Sequence, residues 1–397
     1  MLKFVRIMRT GKRSRILELD GVRGIAILLV IGCHYEVFSR QLWTLPRFGW
    51  IGVDIFFVLS GFLITSVLLK LKGEKTAFRI FYARRARRIL PAYILFLVLL
   101  FAASILFHDY AVFTTHSIVG KLLFLQSFTT PPIFHIHQAF TPIPQIKNGI
   151  SGDISHSQSV LWSLSIEEYF YLVWAPAVLW IRRKWLIVLA ITICVGEILI
   201  RWFGFVGLST YFSIFHRFDA LIYGAIVALL LTSNASKVRL LAGFTVSLIA
   251  SAFLLGTIVF SLAPFVGKEL RVNRGFDTFG ILAFSILIAS GIGLTILSSG
   301  SKWFGYLRFS PLRFIGQISY MLYLLHTFVY LIFLHFFPPT WMITLSALGV
   351  SVTLCWLSWR YLEQPILDGK YRLPELFDGR LNRMASTDIV TTHADMN

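Results

Sequence analysis

The sequence predicts an all-α fold, a polytopic membrane bundle of about ten transmembrane helices with both termini cytoplasmic. Three observations predict it. Of the 397 residues 56% are hydrophobic and only 14% are charged, with mean hydropathy +0.74. A soluble domain carries about 25% charged residues, so most of this chain must lie in lipid. Apolar stretches of about 20 residues, the length that crosses a bilayer, recur along the chain. Lys and Arg are concentrated in or beside the short segments between those stretches, with Arg23 and Arg217 well inside spans.

The predicted spans are residues 19–38, 49–69, 90–107, 159–180, 186–202, 210–231, 239–262, 277–299, 314–336 and 341–359. The first follows a basic leader ending at Arg15 and resembles a signal peptide. No small-residue cleavage site follows, which points to a retained span. Arg23 and Glu36 crowd it, so it is the weakest of the ten by hydropathy. The second opens on GVDIFFVLSGFLI and the third follows FYARRARR. The fourth carries WSLSIEEYFY and the sixth HRFDALIYG. Residues Ile118–Phe128 are a shorter apolar piece that reads as interfacial or re-entrant. Residues 129–157 contain TTPPIFHIHQAFTPIP, whose prolines preclude a membrane helix. They read as an outer segment covering a cavity. Residues 1–374 form one membrane domain in this reading, and 375–397 a polar, disordered cytoplasmic tail.

Ten crossings put both termini on one side, and basic residues decide which. With the N-terminus inside, 27 of the 37 Lys and Arg fall in cytoplasmic segments and 8 in outer ones. The same distribution accounts for the net charge of +18 and argues against nucleic-acid binding. Cys33, Cys194 and Cys355 all fall inside apolar runs, and no disulfide framework or CxxC metal signature exists.

Ionisable residues inside spans are functional candidates, because burying them uncompensated is costly. Arg23 and His34 are eleven residues apart. On a helix that spacing leaves them about 20° apart in direction and about 16 Å apart in rise, so they share a face. Asp54, Glu167, Glu168 and Asp219 are the acids within spans taken as candidates. Ser163 and Glu167 are four apart and share a face, whereas Glu167 and Glu168 diverge by about 100°. The structural reading of each acid is an interhelical hydrogen bond, and for Asp54 and Asp219 it stands beside the functional one. Arg217 and Asp219 read as local charge compensation. Arg84, Arg85, Arg87 and Arg88 read either as topogenic charge on anionic lipid or as guanidinium recognition of a phosphorylated cytosolic ligand. The residues alone leave both open.

Several strings then occur in order. Ten residues separate Arg23 from His34, GVDIFFVLSGFLI runs from Gly52 to Ile64, and RRARRILP runs from Arg84 to Pro91. WSLSIE runs from Trp162 to Glu167, Tyr320, Tyr323, Leu324 and His326 follow, and Glu363 and Pro365 form an ExP. In these features the chain resembles the acyltransferase 3 family of integral-membrane acyltransferases, over nearly its whole length. Some members carry an extra extracytoplasmic esterase-like domain, and none is read here. The resemblance implies transfer of an acyl group, commonly acetyl, from cytosolic acyl-CoA. The acceptor is a hydroxyl on a saccharide or related molecule, such as lipopolysaccharide, exopolysaccharide or peptidoglycan.

Acyl transfer from a thioester needs a base, a group to orient it, oxyanion donors and positive charge for the CoA phosphates. His34 is assigned as the general base. Glu167 is its orienting or assisting carboxylate, with Asp54 as second choice. Arg23, Arg85 and Arg88 hold the donor's phosphates. Trp162, Ser163 and Ser165 line the acceptor side. Arg217, Asp219 and His326 are further substrate-side candidates, His326 either as a second polar contact or as a structural residue. Acyl-CoA, the acceptor and membrane lipid are the expected partners, and no metal or nucleic acid is expected. A secondary transporter or flippase using the same residues as a proton or substrate relay is the alternative. Against it, no inverted repeat or pair of Gly/Pro-broken spans is evident. A non-catalytic membrane scaffold is a third reading.

Overall fold

The computed structural model describes residues 16–35, 49–108, 115–125, 157–204, 216–262 and 275–369. Among these residues the fold is all-helical, without strands. In chain order the helices are α1 (Leu17–His34), α2 (Ile51–Leu71), α3 (Ala77–Leu106), α4 (Thr115–Leu122), α5 (Leu161–Trp180), α6 (Arg183–Phe203) and α7 (Phe218–Leu231). There follow α8 (Lys237–Leu262), α9 (Ile281–Leu297), α10 (Ser310–Gln317), α11 (Ser319–Phe336), α12 (Trp341–Ser358) and α13 (Gln364–Leu367). A π-helical turn, Phe276–Gly280, leads into α9, and another, Trp359–Glu363, joins α12 to α13.

Each of the ten predicted spans contains a helix. Seven are long and apolar enough to cross a membrane: α2, α3, α6, α8, α9, α11 and the α12–α13 stretch. The protein is therefore a multi-pass integral membrane protein. The other three differ for visible reasons. Glu18, Asp20 and Arg23 dilute α1, Glu167 and Glu168 dilute α5, and α7 is only 14 residues long.

Three boundaries depart from expectation. The third span begins at Ala77, not at residue 90, so the arginine cluster lies on the helix rather than before it. Arg, Ala and Leu are strong helix formers that hydropathy alone penalises. At 30 residues α3 is about 45 Å long, more than a hydrocarbon core of about 30 Å requires. The ninth span divides at Ile318 into α10 and α11. The apolar piece after residue 115 forms the eight-residue α4, too short to span. Residues 126–156 and 370–397, which include the expected outer segment and tail, lie outside the described residues.

Helix contacts are made by small residues, as expected where lipid removes the hydrophobic drive between helices. A Cβ on Gly61 of α2 would collide with the Leu221 carbonyl of α7, and one on Gly224 of α7 with the Val58 carbonyl. The two backbones therefore touch. Gly24 and Gly316 bring α1 equally close to α10. Polar staples tie helix ends together. Glu18 accepts from Arg308 at 3.0 Å, from Ser299 Oγ at 3.0 Å and from Gly300 N–H at 2.8 Å. Lys72 Nζ donates to the Val178 carbonyl at 2.7 Å, closing the end of α5. The outward face of α8 is apolar, with Phe253 and Phe260 exposed, as a lipid-facing helix requires.

Candidate active site

Five helices, α1, α2, α3, α5 and α11, enclose a cavity of about 100 Å³. Its charged wall is Arg23 from α1, Arg85 and Arg88 from α3, and Glu167 from α5. Arg85 and Arg88 reach it together because residues three apart share a helix face. Ser60, Ser163, Tyr171, Tyr320 and Tyr323 supply hydroxyl-bearing side chains. The wall thus carries three guanidinium groups and one carboxylate.

Arg85, Arg88 and Glu167 are held in place. The Arg85 guanidinium lies 5.7 Å from the Phe81 ring centroid and 5.4 Å from that of Tyr171. Arg88 lies 5.6 Å from the Trp359 ring, which the π-helical turn after α12 presents. Such cation–π contacts fix a planar guanidinium without neutralising it. Glu167 Oε1 accepts from Ser60 Oγ at 2.9 Å, and Oε2 from Tyr171 Oη at 2.6 Å. Its neighbour Glu168 is absent from the wall, in keeping with the 100° divergence expected.

His34, the expected base, ends α1 and is half-buried. It is not on the cavity wall. Its Nδ1 lies 3.1 Å from Nε2 of His326, which is fully buried on α11. Tyr323, one turn before His326, connects the two places. Its ring centroid is 5.9 Å from that of His326, and its hydroxyl is 2.7 Å from Ser163 Oγ on the cavity wall.

A second imidazole stands beside His34. The ring hydrogen-bonded to it belongs to His326, while the Glu167 carboxylate is held by Ser60 and Tyr171. Asp54, the second choice, forms an ion pair with Arg217 of the α7 entry, and both side chains are completely buried. Arg217 and Asp219, two residues apart, each form an ion pair with another helix. Asp219 pairs with Arg201 of α6 at 2.6 Å, and Arg201 also meets Glu197 at 3.2 Å. Neither Arg217 nor Asp219 is on the cavity wall, because each is drawn to an opposite charge on a neighbouring helix. Ser165 turns away to donate to the Phe124 carbonyl after α4. Trp162 packs edge-on against Phe57 at 6.0 Å, and Phe57 is part of the wall, so Trp162 backs the cavity.

Sequence reasoning missed Ser60, Tyr171, Glu197 and Arg201. Two had a local signal. Tyr171 follows Glu167 by four residues, and Arg201 follows Glu197 by four, the spacing of neighbours on a helix face. The link from Ser60 to Glu167 spans 107 positions and leaves no local trace.

A family model described as an acyltransferase domain matches residues 16–360. The chain is 30% identical to a peptidoglycan O-acetyltransferase of Listeria monocytogenes over 90% of its own length and 57% of the relative's. It is 29% identical to a putative peptidoglycan O-acetyltransferase of Bacillus subtilis, over 96% of its own length and 60% of the relative's. A putative O-acetyltransferase of Staphylococcus aureus is 28% identical over 89% of the chain and 58% of the relative. The chain thus spans less than two thirds of the length of these curated relatives. No solved structure matches. The chain belongs to the acyltransferase 3 family.

Proposed function

We propose that this chain catalyses O-acetyl transfer in a bacterial plasma membrane, from cytosolic acyl-CoA to a hydroxyl of a saccharide-type acceptor of the cell envelope. The names of its relatives favour peptidoglycan as that acceptor. The observation that carries the reading is the convergence of Arg23, Arg85 and Arg88 on one cavity, with Arg23 sharing α1 with His34.

The bundle is read as ten crossings with the N-terminus inside, as the bias of basic residues supports. The arginine end of the cavity then faces the cytosol. Guanidinium groups match phosphate oxygens in paired hydrogen bonds, so Arg23, Arg85 and Arg88 bind the CoA phosphates. The thioester is carried on an extended arm along α1 toward His34, about 16 Å beyond Arg23 by helix rise. Glu167 faces the charges of Arg85 and Arg23 and keeps these arginines in register. Ser163 and Tyr323 supply hydroxyl donors between the cavity and the histidines, suited to a developing oxyanion. His34 takes the proton of the acceptor hydroxyl as its oxygen attacks the thioester carbon. The Asp54–Arg217 pair and the Arg201 cluster hold α2, α6 and α7 together.

The test is reconstitution of the full chain in vesicles with acetyl-labelled acetyl-CoA and peptidoglycan fragments. Label appears on the saccharide as a base-labile ester. Failure of label to move from CoA, or undiminished transfer by a folded His34→Ala variant, overturns the reading.

A further inference from the structure

His326 is fully buried, and its ring makes two hydrogen bonds. Nδ1 lies 3.0 Å from the Leu322 carbonyl oxygen, one turn back on α11. A carbonyl oxygen only accepts, so Nδ1 of His326 must carry the hydrogen. A neutral imidazole has one N–H, and burial favours the neutral ring over a cation. Nε2 of His326 therefore presents a lone pair. Nδ1 of His34 lies 3.1 Å from that lone pair. Two lone pairs would repel at this distance, so Nδ1 of His34 is the donor. The tautomer of His34 follows: hydrogen on Nδ1, lone pair on Nε2.

From this chain we propose that His326 is the positioning residue of His34. The Leu322 carbonyl sets the tautomer of His326, and His326 sets that of His34, so that Nε2 of His34 is the atom that receives the proton. The proposal rests on the reading of His34 as general base. His326 then stands where the triad of an acyl-transfer enzyme has a carboxylate. The surroundings restrain it for that task. Tyr35, the residue after His34, donates from Oη to the His326 carbonyl at 3.2 Å. Tyr35 also stacks on Tyr330 of α11 at 4.1 Å and 11°. Tyr35 thus ties the segment carrying His34 to the helix carrying His326. Among the described residues no third His, Cys, Asp or Glu joins them in a metal-binding group.

The acceptor oxygen bonds to the thioester carbonyl carbon while its proton passes to Nε2 of His34. The imidazolium keeps its Nδ1–H on Nε2 of His326, which stays neutral. The carbon–sulfur bond then breaks, and the Nε2 proton goes to the departing thiolate. No other reactant is needed.

The full chain, labelled with ¹⁵N-histidine and held in nanodiscs, tests this directly. Assignment by difference against His34→Ala is expected to show His34 protonated at Nδ1 and His326 likewise. His326→Leu removes the acceptor. It is expected to move the His34 hydrogen to Nε2 and to lower kcat about 100-fold, with KM for acetyl-CoA unchanged. His326→Gln returns an acceptor oxygen and is expected to recover kcat to within about tenfold of the native value. A His34 ring protonated at Nε2 in the native chain overturns the proposal while leaving the base reading intact. So does a folded Leu variant with native kcat. Full activity in His34→Ala instead overturns the base reading, and the proposed role of His326 with it, even with the tautomer as described.

Discussion

Around the cavity three guanidinium groups face one carboxylate, and all four side chains are partly exposed. Around Arg201 and Arg217 two guanidinium groups face Asp54, Glu197 and Asp219, and all five side chains are buried. Both regions place charge within the helix bundle, where an isolated ion is expensive. In the second region the charges meet one another directly across three helices. In the first, Arg85 and Arg88 are steadied by aromatic rings and Glu167 by hydroxyls, and all of them line a cavity. An ionisable side chain in a bundle of this kind is therefore read by its surroundings: an opposite charge at contact distance in a packed interior marks a structural role, and charge gathered on a cavity wall marks a candidate site for something that arrives.

That contrast breaks if substitutions in the two regions act alike. The largest effect is expected at His34, the residue the cavity is proposed to serve. His34→Ala should lower kcat by roughly 10²–10⁴-fold, with thermal unfolding in detergent little changed. Next is the ion-pair region. Arg217→Leu leaves Asp54 buried without its partner, which costs about 3–5 kcal/mol. The variant is expected to lose yield and melting temperature. A double variant, Arg217→Leu with Asp54→Leu, should recover much of the loss, because replacing both partners by apolar groups is often neutral. If the double variant stays unfolded, the pair does more than neutralise. In the cavity, Arg85→Ala or Arg88→Ala should raise KM for acetyl-CoA about 10–100-fold, the loss of charge-assisted hydrogen bonds, with unfolding temperature unchanged. A stability loss without a KM change would move these arginines into the structural class. The smallest effect is expected for Tyr171→Phe, which removes one of the two hydrogen bonds on Glu167. About tenfold in kcat/KM is expected, because the Ser60 hydrogen bond on Glu167 remains.

Features set by short spacing were legible in the sequence. Arg23 and His34 share one helix, and Ser163 and Glu167 share one wall. The pairings set by tertiary packing were not. Arg217 has Asp219 nearby in sequence, yet residues two apart on a helix do not face each other. Its actual partner, Asp54, lies on α2. The Gly61–Gly224 crossing that brings α7 against α2 is what delivers Arg217 to Asp54, and no local pattern announces which two glycines meet. His34 and His326 are 292 positions apart and meet only because α1 and α11 cross. The start of α3 was misplaced for the opposite reason. Hydropathy sees five residues, RRARR, as a break, while helix propensity carries straight through them.

Because Arg23 and His34 ride on one continuous helix, peptide geometry and not loop placement sets the gap between them, about 16 Å. On the proposed chemistry that gap works as a gauge. A donor anchored by its phosphates must be long enough to present its thioester at the far mark. A stubby donor such as acetyl phosphate can dock at the near mark and still fall short, so selection by reach is written into a single helix.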